Sequence, residues 1–262
     1  MPLITIYSPK GGVGKTTLVA NLCYSFSRLG FKSIAVDLDP QNALKLHFGL
    51  PITDKRGASN NYSDFETWDQ YINSEQDNAY VLPYRSKKYE PSKKSEHIHA
   101  PDSFLFDELK QLIQQENLIV IVDLPTASEE LALALSPLTD VFVIPLLSDT
   151  ASLAVIPEVE LFIKNTSSDI CPIPPQVVLN QMDYRCQISI DVETFITNHL
   201  KDSVIGIIHK DYSVVEANAK QTSILGANTC SVSASDINSI CKKLMDMIKV
   251  NVGDGAIHQN NV

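Results

Sequence analysis

Residues 8–17 read Ser-Pro-Lys-Gly-Gly-Val-Gly-Lys-Thr-Thr, directly after the apolar run Leu3-Ile4-Thr5-Ile6-Tyr7. A strand, a glycine-rich turn and a helix start in this order form a cradle for phosphate groups. Gly11, Gly12 and Gly14, with Val13 among them, let the backbone approach an anion and turn its N–H groups toward it. Lys15 supplies positive charge for the β- and γ-phosphates, and the Thr16 hydroxyl suits Mg2+. A chance Gly/Lys turn would have no partners elsewhere in the chain. Here one apolar segment ends in Asp37-Leu38-Asp39-Pro40-Gln41 and another in Asp123-Leu124-Pro125. Carboxylates beside a lysine-bearing phosphate loop are what metal-assisted phosphoryl transfer needs, one for the metal's water shell and one for the attacking water. Asp37 or Asp39 alone could be a helix N-cap; together with the loop the chemical reading is preferred.

These residues need a scaffold that brings strand ends together. Apolar segments alternate with helical ones, which predicts a doubly wound α/β fold with a mainly parallel sheet and helices on both faces. The first helix is expected from Lys15 to Leu29, with Gly30 at its C-terminal cap. Strands are expected at 33–36, 80–82, 118–122, 141–144, 176–179 and 204–208, and a helix over 102–115. Near-continuous apolar runs suit strands covered on both faces. Residues 1–250 read as one domain. The stretch 51–102 interrupts the rhythm as a polar insert, with a short helix expected near 65–72 and a mobile surface loop after Tyr84. Its Lys87-Lys88 and Lys93-Lys94 pairs read as a solvated loop in preference to a binding patch. Residues 251–262 read as a disordered polar tail. Before it, Ile237, Ile240, Cys241, Leu244 and Ile248 form a helical stripe that suits core packing better than a membrane anchor.

Composition narrows the function classes. Lys and Arg total 21 against 31 Asp and Glu, so the formal net charge of −10 disfavours DNA and anionic lipid as partners. The phosphate loop begins so early that no basic-then-apolar leader is expected, and no apolar run reaches the ~20 residues of a membrane span. Cys23, Cys171, Cys186, Cys230 and Cys241 are scattered and form no C-x-x-C pair, which predicts reduced thiols in a cytoplasmic protein and argues against zinc or iron–sulfur sites.

The loop departs from G-x-x-x-x-G-K-[ST] in having Pro9 for the first glycine and a second lysine, Lys10, before the glycine pair. This K-G-G-x-G-K-T-T arrangement resembles the deviant Walker A motif of the ParA/MinD group of P-loop ATPases. The resemblance implies ATP and Mg2+ as cofactors and slow hydrolysis to ADP and phosphate within a homodimer that sandwiches ATP. It implies that Lys10 reaches the partner's phosphates, that Thr17 contacts the α-phosphate, and that Asp39 positions the hydrolytic water. Thr16, Asp37 and Asp123 would serve the metal, Asp123 as the Walker B aspartate. Asn180, at the end of Val178-Leu179-Asn180, falls where the group's adenine-binding asparagine lies; an amide can both donate to and accept from adenine. In Ile207-Ile208-His209-Lys210-Asp211, His209 stands where the group usually has proline, and it reads as a pocket-rim histidine in preference to a catalytic one.

Four stretches are narrower: 37–49, 145–154, 178–183, and 206–211 followed by Glu216-Ala217. They resemble the BcsQ (YhjQ) branch, encoded with bacterial cellulose synthase. That resemblance implies cytosolic proteins of the cellulose synthase complex as partners, which could recruit the chain to the inner membrane or pole. It shows no counterpart of MinD's lipid-binding C-terminal helix. A partition or positioning ATPase and a non-hydrolysing ATP-dependent scaffold are the alternative readings.

Overall fold

The computed structural model describes residues 2–53, 78–84, 104–166, 171–227 and 230–258. The helix and mobile loop expected within the insert lie outside these residues. Seven strands form one parallel sheet: β1 (Leu3–Ile6), β2 (Lys32–Asp37), β3 (Ala79–Leu82), β4 (Leu118–Asp123), β5 (Val141–Leu147), β6 (Ile173–Met182) and β7 (Val204–His209). Their order is β3-β2-β4-β1-β5-β6-β7. The chain therefore lays strands on one side of β1, then crosses to the other. The crevice at such a reversal, beyond the carboxyl ends of the strands, is where ligands bind in open α/β sheets.

The apolar runs are continuous because both faces are covered. Ile4, Ile6, Ile119 and Ile121 pack toward α1 (Lys15–Arg28) and α9 (Val232–His258). Their neighbours Leu3, Leu118, Val120 and Val122 face α2 (Phe104–Ile113), α3 (Glu129–Leu135), α5 (Ile156–Asn165) and α6 (Gln187–Leu200). The described residues also form short helices α4 (Thr150–Leu153), α7 (Tyr212–Ala219) and α8 (Ile224–Ala227). Gly30, at φ 91°, ends the first helix as expected, its N–H donating to the Ser27 carbonyl at 2.9 Å.

Two differences from the sequence reading have local causes. β6 begins at Ile173, before the expected start, and runs through Pro174 and Pro175. Proline lacks the N–H that a ladder uses, and the β5–β6 register shifts between Val141 and Val143, opposite this segment. At the other end, α9 continues to His258, through residues expected to belong to a disordered tail. No proline stops it, and its inner stripe of Ile237, Ile240, Cys241, Leu244 and Ile248 is buried in the core.

Candidate functional site

The phosphate loop leaves β1 at its carboxyl end. Ser8 is fully buried and ties the loop to the sheet, its hydroxyl donating to the carbonyls of Pro145 at 3.3 Å and Lys10 at 3.0 Å. Gly14 occupies the α1 N-cap at φ 90°, a left-handed conformation that leaves no side chain over the helix end. No acidic residue sits in the first turn, and no side chain caps it. The free N–H groups and positive end of a 14-residue helix thus face the crevice, the arrangement that receives an anion. Val13 is fully buried, and its carbonyl accepts a 2.7 Å hydrogen bond from Asn180 Nδ2.

The two lysines of the loop have different partners. Lys15 is only 6% exposed, and its Nζ donates to Thr126 Oγ1 at 3.0 Å. The charge of Asp123 offsets this buried ammonium in part, and a bound phosphate would add a direct anionic partner. Lys10 Nζ lies 2.8 and 2.7 Å from the carboxylate oxygens of Asp149 on the loop after β5. Burial raises the Asp149 pKa, but hydrogen bonds from Lys10 and Ser152 outweigh it and hold the carboxyl below its ordinary range. Thr126 and Asp149 were not singled out in the sequence. Asp149 had a local signal, since it caps α4 by accepting from the Ser152 N–H at 2.8 Å. Thr126 follows Asp123-Leu124-Pro125 and had none.

The strand-end carboxylates meet where the sequence places them: β2 and β4 pair with Asp37 beside Asp123. Asp37 Oδ1 accepts from the Asp39 N–H at 2.9 Å, and Oδ2 from the Leu44 N–H at 3.1 Å. It therefore also closes the loop that carries Asp39. Burial, then the charge of Asp123, pushes its pKa up to about 7 despite those N–H donors. Burial likewise pushes Asp123 up to about 6, with the Thr16 hydroxyl and Lys15 pulling the other way. Asp123 is 1% exposed, yet neither of its oxygens has a hydrogen-bond partner of good geometry. Two adjacent buried carboxylates resist double ionisation, and a hard divalent cation relieves that conflict. Thr16, Asp37 and Asp123 fit Mg2+ in this sense. Among the described residues no group of three or more His, Cys, Asp or Glu forms a metal cage. Mg2+ needs none, since it is held by one or two carboxylates together with substrate phosphates. Asp39 is partly exposed at the crevice, and its Oδ1 accepts from the Gln41 N–H at 2.9 Å.

Farther along the crevice, Asn180 braces Gly14: a Cβ on that glycine would stand 2.5 Å from Asn180 Nδ2. Asn180 Oδ1 accepts from the Gln181 N–H at 2.9 Å, so each end of the amide already makes one bond. His209 ends β7, opposite Met182. Its Nδ1 lies 2.8 Å from Asp236 Oδ2 on α9.

A family model for cellulose biosynthesis protein BcsQ matches residues 1–245. The chain is 26% identical over 141 residues to cellulose biosynthesis protein BcsQ of Escherichia coli K12, covering 53% of this chain and 56% of that one. It thus spans about half the length of the curated relatives it matches in this family. Among solved structures, septum site-determining protein MinD of Pyrococcus horikoshii, complexed with Mg-ADP, superposes with a TM-score of 0.70 at 19% identity, over 95% of this chain and 98% of that one. The MinC:MinD cell division complex of Aquifex aeolicus gives 0.71 at 20% identity, over 94% and 96%. These likenesses establish the doubly wound P-loop fold.

Proposed function

The chain belongs to the cellulose biosynthesis protein BcsQ family, and on that premise we propose that it is a Mg2+- and ATP-dependent dimerising ATPase serving a bacterial cellulose synthase complex. The observation that carries this reading is Asp123: a buried carboxylate with neither oxygen in a hydrogen bond of good geometry, close to Lys15 and Thr16 of the phosphate loop. Thr16 and Asp123, with Asp37 beside them, would hold Mg2+, which would supply charge neutralisation for phosphoryl transfer. The residues of the chain divide the remaining work. The amides of Gly11, Gly12, Val13 and Gly14 and of the α1 N-terminus cradle the phosphates, with Thr17 at the α-phosphate. Lys15 neutralises the β- and γ-phosphates. Asp39 orients the attacking water, and Asp37 holds the loop that presents it. Asn180 braces the loop and offers its remaining N–H and lone pair to the base.

Lys10 acts across the dimer, on the phosphates bound by the partner. ATP that binds the dimer better than the monomer shifts the population by that difference in affinity, so hydrolysis can time the release of a partner. The partners are cytosolic proteins of the cellulose synthase complex, and the chain works in the cytoplasm. The test is genetic and biochemical together. Replacing the gene with a Lys15→Ala version should lower cellulose output without plasmid loss or division errors. Normal cellulose with a partition defect would favour a partition ATPase instead. Mg-ATP binding without turnover would favour a scaffold.

A further inference from the structure

His209 takes no part in the roles above. It stands at the carboxyl end of β7, three strands from β1 in the order β1-β5-β6-β7. At about 4.8 Å per strand that is roughly 14 Å from the phosphate loop. A nucleotide whose phosphates sit at β1 and which runs past Asn180 on β6 therefore brings its base toward this strand end. Lys210 N–H donates to the Met182 carbonyl at 2.8 Å, which fixes the β7 end against the β6 end.

The imidazole is held in one tautomer. Asp236 Oδ2 accepts from the His209 backbone N–H at 2.9 Å and lies 2.8 Å from Nδ1. A carboxylate only accepts, so Nδ1 carries the proton. In the neutral ring Nε2 is then an acceptor, and no hydrogen bond from a described residue reaches it. Ser233 Oγ donates to the His209 carbonyl at 2.7 Å and clamps the backbone from the same helix. The side chain is 38% exposed, whereas Asp236 is 17% exposed. Half-exposed Tyr184, on the turn after β6, sets its ring 5.4 Å from the imidazole, tilted 43°. An oriented ring acceptor beside an aromatic face suits a flat heterocycle that carries an amino group.

We infer that His209, oriented by Asp236 and flanked by Tyr184, is a base-specificity residue that accepts a hydrogen bond from the exocyclic amino group of adenine. Adenine presents N6–H2 as a donor, whereas guanine and hypoxanthine present an acceptor oxygen at that position. An acceptor facing O6 repels it, so the same atom favours one purine and disfavours the others. This inference rests on the nucleotide-binding reading above, and it shares the task of base selection between His209 and Asn180.

The test compares equilibrium affinities by calorimetry for ADP, inosine diphosphate and tripolyphosphate in the wild-type chain and in His209→Leu. Wild type should bind ADP more tightly than inosine diphosphate. His209→Leu should lower that ratio by roughly five-fold, the size of one hydrogen bond, and leave tripolyphosphate binding unchanged. An unchanged ratio in a variant that still binds ADP would overturn the inference and leave the nucleotide reading intact. Wild type that binds neither ADP nor tripolyphosphate would overturn both. A measurement that needs no variant is nitrogen NMR of histidine-labelled protein. The His209 Nε2 resonance should move with ADP and stay in place with tripolyphosphate; no movement with bound ADP would overturn the assignment.

Discussion

Lys10 and Asp149 are joined within one chain, the ammonium bridging both carboxylate oxygens at 2.8 and 2.7 Å across 139 residues of sequence. A lysine proposed to act on the partner's phosphates is thus parked on its own protomer. Ser152 shares the anchorage, 3.4 Å from the same ammonium. For Lys10 to cross a dimer interface this pair must open. It is partly exposed, with Lys10 at 20% and Asp149 at 44%, so its opening is an inexpensive step, on the order of 1 kcal/mol or less.

Asp149→Asn should therefore ease ATP-dependent dimerisation, lowering the protein concentration at the midpoint by up to several-fold. Lys10→Ala should impair dimerisation and turnover more than it weakens ATP binding to the monomer. Light scattering against protein concentration, with calorimetry for ATP, checks both. Normal ATP-dependent dimers of Lys10→Ala would remove the role across the interface.

The buried carboxylates predict a pH dependence. Asp37 and Asp123 titrate near 7 and 6 in the folded chain, above their ordinary value of 3.8. A raised acid pKa means that the folded state holds these protons where the unfolded chain has lost them. Between about pH 4 and 7 this contribution to stability falls as pH rises, and above 7 it is gone. The metal-free protein should lose melting temperature across that interval. Asp123→Asn, which cannot ionise, should flatten the slope, and saturating Mg-ADP should do so by favouring the ionised pair. Thermal melts in a pH series read all three; an equal slope in Asp123→Asn would contradict the assignment.

Gly14→Ala should damage the loop twice over. The backbone there is left-handed at φ 90°, and the added methyl would stand 2.5 Å from Asn180 Nδ2. The expected loss is about 1–3 kcal/mol, seen mainly as weaker nucleotide affinity. Gly206→Ala offers a contrast far from the loop, because its methyl would stand 2.6 Å from Ile240 Cγ1 in the core beneath α9. It should lower melting temperature while leaving nucleotide affinity nearly unchanged in the folded fraction. Equal loss of affinity in both variants would mean that the loop effect is only global destabilisation.

Local pattern carried much of this architecture. The glycine-lysine loop, Asp37 and Asp123 could be placed because each follows an apolar run, and a parallel sheet collects strand ends on one edge. The pairings that tune those residues were not legible, because each joins distant segments. Thr126 reaches Lys15 across 111 residues and Asp236 reaches His209 across 27. The early part of β6 was hidden by Pro174 and Pro175, whose missing N–H groups argue against a strand interior until the register shift beside them is seen. Asn180 was read from its chemistry as a base contact; its bond to the Val13 carbonyl adds a bracing role that no local pattern encodes.

The central claim is that ATP, bound with Mg2+, assembles two chains and that Asp39 then directs water onto it. The most direct measurement is the light-scattering mass of Asp39→Ala with Mg-ATP, followed in time beside phosphate release. The account predicts a stable mass of twice the 28.9 kDa chain with little phosphate released, while wild type dimerises and then reverts to monomer as ATP is consumed. Asp39→Ala that stays monomeric with bound ATP, or releases phosphate at the wild-type rate, would contradict it.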